Sequence, residues 1–253
     1  LNIGSAADLA TGGGGAAAAL RDAGIAAAEG VGLFRTEFLF LDRHDMPAPD
    51  EQQAAYEAAF RAAGGRKVVL RTLDAGADKP LPFLGLRPEP NPALGVRGLR
   101  VARVRPEVLT AQLDAVAAAA RTTGIEVWVM APMVFTAAET ASFAAAVREA
   151  GLPTPGVMIE VPAAALHADR LLAEVDFLSI GTNDLGQYTM AADRQSGDLA
   201  ELLDPWQPAL LSLVAECGEA GRRVGKPVGV CGEAAADPLL APVRGIFAAQ
   251  EIK

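Results

Sequence analysis

Aromatic side chains make up only 5% of this chain of 253 residues, so its packing falls to Ala, Val and Leu, as parallel sheets flanked by helices allow. Cysteine is scarcer still. Cys217 and Cys231 are too few for a disulfide framework, which points to a reducing cytoplasm. Histidine is limited to His44 and His167, and no His/Cys cluster has zinc spacing, so a bound metal would be a hard, oxygen-liganded ion. No apolar run reaches the ~18 residues of a membrane span, and no signal peptide is visible. Positive charge is in deficit: 22 Lys and Arg face 31 Asp and Glu, for a formal net charge of −9. That balance argues against nucleic acid, which calls for a basic face. It also leaves an anionic ligand to be held by a local cluster of arginines, effective within a Debye length of about 8 Å.

What is present suits a large core. Hydrophobic residues are 51% and charged residues 21%, a composition that excludes a disordered chain. The length fits a single α/β barrel or two small domains. Leu1 in place of a start methionine predicts a piece of a longer chain.

Strand signals fall at residues 1–3, 31–34, 68–73, 127–134, in GVMIEVP, at 177–180 and in PVGVCGE, and Ala-rich helical stretches separate them. Such alternation implies βαβ units and a parallel sheet. Residues 12–15 are four glycines and read as a surface turn; no Gly-Lys-Ser/Thr follows to make them a phosphate loop. Helices are expected over 50–65 with an Asp50 cap, over 106–124, after a Thr136–Glu139 capping box, around His167, and over 208–224 with Cys217 packed in the core. The Pro/Gly-rich residues 80–100 read as an excursion. No convincing eighth strand follows; residues 245–247 are at best a stub.

Polar residues recur where the strands end. Arg35 and Glu37 follow the second strand and by themselves read as an exposed ion pair. Arg71 lies in an apolar run of the third strand and needs a partner there; Asp74, Asp78 and Lys79 come after it. Arg97 and Arg100 close the excursion, Glu160 stands at the end of the fifth strand, and Cys231 and Glu233 leave the seventh. The densest stretch is 176–194, DFLSIGTNDLGQYTMAADR, in which a strand runs into a loop carrying Asn183 and Asp184, with Arg194 beyond. Chemistry drawn from many strand ends favours a (β/α)8 TIM-type barrel over an open sheet with one switch point.

Glu160 and Asp184, from adjacent strand ends, form a pair of the kind that holds Mg²⁺ with substrate phosphate and water. Each alone also reads as a cap or a surface charge. Arg35, Arg71, Arg97 and Arg194 have the forked guanidinium that binds phosphate and carboxylate; four structural ion pairs are the other reading. Cys231 reads either as a packed thiol or as a proton donor to a substrate carbon.

GVGLFRTEFLFLDR, VVLRTLDAGADKP, NPALGVRGLR, GVMIEVPAAA, DFLSIGTNDLGQYTMAADR and GVCGEAAAD, in that order, resemble the phosphoenolpyruvate-binding barrel of enzyme I of the bacterial sugar phosphotransferase system. Pyruvate phosphate dikinase and phosphoenolpyruvate synthase share several of these motifs. The resemblance implies one barrel domain over residues 1–253, its eighth strand missing or divergent. It implies Mg²⁺-dependent phosphoryl transfer from phosphoenolpyruvate to a histidine of a separate N-terminal domain, releasing pyruvate. Arg35, Arg71, Arg97, Asn183 and Arg194 would bind phosphoenolpyruvate, Glu160 and Asp184 would ligate Mg²⁺, and Cys231 would protonate the enolpyruvate carbon. The implied partners are the phosphohistidine domain, through it the histidine-containing phosphocarrier protein, and a second copy in a homodimer. Neither His44 nor His167 has the family's acceptor motif, and Gly186 replaces the usual threonine of NDLTQ. A dikinase or synthase fragment, a Mg²⁺-dependent aldolase barrel and a non-catalytic ligand-binding barrel are the competing readings.

Overall fold

Short apolar runs rich in Val, Leu and Ile pair well on a pleated surface, and parallel pairing obliges each to return through a crossover of a dozen residues or more. That rule governs the computed structural model, which describes residues 2–3, 30–41, 43–76, 81–236 and 239–240. The chain falls into two compact units, residues 1–131 with 146–153, and residues 132–145 with 154–253.

In the first unit β1 (Asn2–Ile3), β2 (Gly30–Arg35), β3 (Lys67–Arg71) and β4 (Val127–Ala131) pair in chain order, all parallel. The register sets Arg35 opposite Arg71 at the carboxyl ends of β2 and β3. Val69, Leu70, Val129, Met130 and Ala131 lose all contact with water. The crossovers include α1 (Pro49–Ala62), α2 (Val101–Val104) and α3 (Pro106–Thr123), and α1 packs on α3. α1 buries Gln52, Tyr56, Ala59 and Phe60 as one stripe at helical spacing.

Asp50 is not the cap of α1. Pro49, with its fixed φ and no N–H to satisfy, opens the helix a residue earlier, and Asp50 instead accepts from the Glu51 N–H at 3.0 Å. α3 runs from Pro106 to a left-handed Gly124, as expected. The excursion before it is ordered by its own polar groups. It forms 3₁₀ turns at Pro82–Leu84, Pro92–Leu94 and Gly98–Arg100. Glu89 accepts from the Val96 N–H at 2.9 Å, and Arg100 donates to the carbonyls of Leu94 and Gly95 at 2.8 and 2.9 Å.

α4 (Ala137–Glu149) runs across the boundary between the units, and its start is the expected capping box: Thr136 Oγ1 accepts from the Glu139 N–H at 3.2 Å while Glu139 accepts from the Thr136 N–H at 3.3 Å. The second unit pairs β5 (Thr154–Ile159), β6 (Phe177–Gly181) and β7 (Val228–Cys231), again parallel and in order. α5 (Pro162–Ala165), α6 (Ala168–Leu172), α7 (Thr182–Met190) and α8 (Pro208–Val224) complete it. α8 buries Leu210, Leu213, Val214, Cys217 and Gly221 against neighbours that include α5 and α6. At its end Lys226 donates to the carbonyls of Leu172 and Val175 at 2.6 and 2.8 Å, which ties α8 to the segment leading into β6. His167, expected within a helix, stands between α5 and α6.

Among the described residues no helix is long and apolar enough to cross a membrane. The expected turn at 12–15, Asp78 and Lys79, and the expected stub at 245–247 lie outside the described residues.

Candidate functional site

In the second unit the ends of β5, β6 and β7 carry the candidate chemistry. Glu160 follows β5 directly and is 2% exposed. Its Oε2 accepts from the Met133 N–H at 2.8 Å. Met133 has φ 52, a left-handed conformation that few residues with a side chain adopt, and this tight turn aims its N–H at the carboxylate. The Glu160 carboxylate lies over the end of β6, where a Cβ on Gly181 would stand 2.7 Å from Oε1. Glycine is required there for the approach.

After Gly181 the chain does not enter a loop. Thr182, Asn183 and Asp184 form the first turn of α7, where an acidic residue favours the positive end of the helix dipole. Asp184 is buried and Asn183 half-buried. α7 ends at Ala191, whose φ of 50 turns the chain back, and the Arg194 N–H then donates to Gln187 Oε1 at 2.9 Å. Arg194 Nη1 comes within 3.7 Å of Asp184 Oδ2, with 30% of the arginine side chain exposed. On β7, opposite Gly181, Cys231 is buried; its Sγ accepts from Ser179 Oγ at 3.5 Å and faces the Ile180 carbonyl at 3.4 Å. Thr182 Oγ1 donates to the Cys231 carbonyl at 3.1 Å.

The first unit gathers three of the four expected arginines. Arg71, at the end of β3, pairs with Glu37 and, at 3.2 Å, with Asp74. Asp74 also stands 3.7 Å from Arg97. All four side chains are buried, so the exposed Arg35–Glu37 pair expected from sequence is corrected: Glu37 turns inward and reaches Arg71. Arg35 lies over the Phe38 ring at 5.2 Å, and burial lowers its pKa, with Glu37 opposing the drop and Arg71 adding to it. Gly76 (φ 107) makes the Arg97 contact possible, since a Cβ there would fall 2.7 Å from the Cβ of Arg97. Guanidiniums gathered in this way have the forked geometry that suits a phosphate or carboxylate.

Gln112, reaching from α3, fixes these strand ends. Its Nε2 donates to Thr36 Oγ1 at 3.0 Å and to the Tyr56 hydroxyl at 2.9 Å, and its Oε1 accepts from the Leu73 N–H at 2.8 Å. Thr36 in turn donates to the Arg71 carbonyl at 2.9 Å. Burial pushes the Tyr56 phenol well above its ordinary pKa.

The residues present fit a hard divalent cation. Glu160 and Asp184 are buried carboxylates with hard oxygen donors. Among the described residues no three His, Cys, Asp or Glu side chains converge as a ready-made metal cage. An ion held by these two carboxylates would need ligand and water oxygens to complete its shell, as Mg²⁺ tolerates.

Sequence reasoning did not single out Met133, Ser179, Thr182 or Gln112. A signal existed for two of them. Ser179 is the one hydroxyl inside the apolar β6, and Gln112 is polar on the buried face of α3.

Comparison with known proteins agrees with these motifs. The family described as the PEP-binding domain of PEP-utilising enzymes matches residues 15–248. A phosphoenolpyruvate-protein phosphotransferase from Streptomyces coelicolor is 59% identical over 220 residues, which is 86% of this chain and 40% of that protein. A multiphosphoryl transfer protein from Xanthomonas campestris is 45% identical over 232 residues, 89% of this chain and 27% of that one. The chain thus spans well under half the length of these curated relatives. Among solved structures, an HpcH/HpaI aldolase from Desulfitobacterium hafniense aligns with TM-score 0.52 at 17% identity, covering 93% of this chain and 80% of its own. At that identity the likeness is one of α/β fold alone.

Proposed function

This chain belongs to the PEP-binding domain family of the PEP-utilising enzymes, and from that premise we propose that it is the phosphoenolpyruvate-binding part of a phosphoenolpyruvate-protein phosphotransferase. The observation that carries the reading is the placement of buried Glu160 and Asp184, with Arg194 beside Asp184, at the carboxyl ends of consecutive parallel strands. In this reading residues 1–253 act as one (β/α)8-type domain.

Arg35, Arg71, Arg97 and Arg194 bind the phosphate and carboxylate of phosphoenolpyruvate, and Asn183 adds a contact. The ion pairs of Arg71, Arg97 and Arg194 with Glu37, Asp74 and Asp184 hold those forks in place before the ligand arrives, so little of their side-chain entropy is lost on binding. Glu160 and Asp184 hold Mg²⁺. When bound, that ion neutralises charge on the phosphoryl group as it transfers. Cys231 delivers its thiol proton to C3 of the enolpyruvate, which leaves as pyruvate. The phosphoryl group passes to a histidine on a separate N-terminal domain and onward to the histidine-containing phosphocarrier protein, the first step of sugar uptake by the phosphotransferase system. A cytoplasmic homodimer is the setting proposed for this chemistry.

Titration calorimetry with phosphoenolpyruvate, with and without Mg²⁺, tests the assignment. Arg194→Ala is expected to weaken binding about 10- to 100-fold, since a hydrogen bond to a charged group contributes roughly 1.5–3 kcal/mol. Unchanged affinity would remove Arg194 from the site.

A further inference from the structure

We propose that Ser179 is a positioning residue for the Cys231 thiol, and that its hydroxyl stabilises the thiolate left when the proton departs. The inference rests on the reading above that Cys231 is the proton donor. Ser179 and Cys231 sit on neighbouring strands, β6 and β7, where the register places Ser179 opposite Gly229 and Gly181 opposite Cys231. The two side chains are therefore diagonal neighbours across the pair. Ser179 is 1% exposed and donates from Oγ to Cys231 Sγ at 3.5 Å, while Sγ faces the Ile180 carbonyl at 3.4 Å.

This arrangement supplies both states of the sulfur. As a thiol, Cys231 can donate to the Ile180 carbonyl and accept from Ser179, which limits rotation about its Cα–Cβ bond. In the protonation step the S–H bond breaks and its electron pair stays on sulfur. The π pair of the enolate forms the new C–H bond at C3, giving pyruvate and a thiolate. That thiolate is buried, and a buried charge without a donor is costly. The Ser179 Oγ stands within donating distance of the sulfur, so the negative charge develops against a donor in place.

A polar side chain in this position is otherwise an expense. β6 reads FLSIG, and its remaining side chains are apolar and fully buried. An alanine would satisfy the packing of a parallel strand covered on both faces, and would leave no hydroxyl to partner.

Microscopic reversibility gives a test on this chain by itself. With Mg²⁺ and pyruvate in D₂O, the Cys231 thiolate should exchange the methyl protons of pyruvate, read by NMR. Ser179→Ala and Ser179→Gly, which remove the hydroxyl, should slow exchange about 10- to 100-fold with pyruvate affinity unchanged. Ser179→Thr, which keeps the hydroxyl, should restore most of the rate. A second readout needs no substrate. Alkylation of Cys231 by iodoacetamide, followed by mass spectrometry, should slow by a similar factor in the Ala and Gly variants and recover in the Thr variant. Glu160, Asp184 and Arg194, and the charged residues of α8 (Glu216, Glu219, Arg222 and Arg223), are unaltered throughout, so the differences report the hydroxyl. Ala and Gly variants that exchange and alkylate at the parental rates would overturn the role of Ser179 while leaving Cys231 in place. Exchange that survives Cys231→Ala would instead overturn the proton-donor reading, and alkylation would still decide whether Ser179 acts on the sulfur.

Discussion

Cys217 and Cys231 are both buried thiols, but they meet different partners. Cys217 is fully buried on the inner face of α8, and burial pushes its thiol from 9.0 up to about 12. Between those values the folded chain keeps a proton that the unfolded chain gives up. This contribution to stability is fully present below about pH 9 and is lost as pH rises toward 12. By pH 10 the loss should be about 1 kcal/mol. Urea unfolding at pH 8 and pH 10 should show a smaller drop for Cys217→Ala than for the parent, whatever the packing change does to absolute stability; the raised Tyr56 phenol acts in both proteins alike. Equal drops would mean that Cys217 is not shielded as described. At this scale the sequence shows which side chains are polar and where strands end, and that was enough to locate Glu160 at the end of β5, Asp184 and Arg194 beyond β6, and Cys231 at the end of β7. It does not show burial. Glu37 reads as a surface charge because its neighbour in sequence is Arg35, but the register of β2 and β3 brings it to Arg71. Met133 carries no polar side chain at all. Its contribution is a backbone N–H aimed by an unusual φ, which residue type cannot reveal.

Among the elements, α7 departs most from what its sequence suggests. GTNDLGQYTM has a glycine in its middle and three polar residues near its start, a pattern that reads as a loop. It folds as a helix because Leu185 is fully buried, Asp184 stands in its first turn, and Ala191 accepts the left-handed turn that ends it. Tertiary packing here overrides a weak propensity. Gly186 needs no unusual backbone, and a Cβ there would meet only Leu210 Cδ2, at an ordinary 3.8 Å. Gly186→Ala should therefore stabilise the protein by about 0.5–1 kcal/mol, through lower backbone entropy in the unfolded chain. A raised urea midpoint with an unchanged slope would show this, whereas destabilisation would mean that the space beside α7 is filled. By contrast α3 and α4 were legible to within a residue or two at their starts, because proline at a first turn and a capping box are local signals that packing has no reason to overrule.

For the molecule as a whole, the net charge of −9 repels the anion that its family binds. An anion would have to be held by local clusters of positive charge: among the described residues Arg35, Arg71 and Arg97 gather near Glu37 and Asp74 in the first unit, and Arg194 approaches Asp184 in the second. The parallel order of strands was readable from alternating strand and helix signals, since each unit needs only nearest-neighbour pairing. The most direct test of the central claim is pyruvate release from phosphoenolpyruvate by this chain when Mg²⁺ and a phosphohistidine domain are supplied together. Pyruvate should form in proportion to the histidine domain added, and Glu160→Ala or Asp184→Ala should reduce its rate at least 100-fold, by analogy with the roughly 10²–10³ lost when one electrostatic stabiliser is removed. Pyruvate release that is undiminished in both variants would contradict the account.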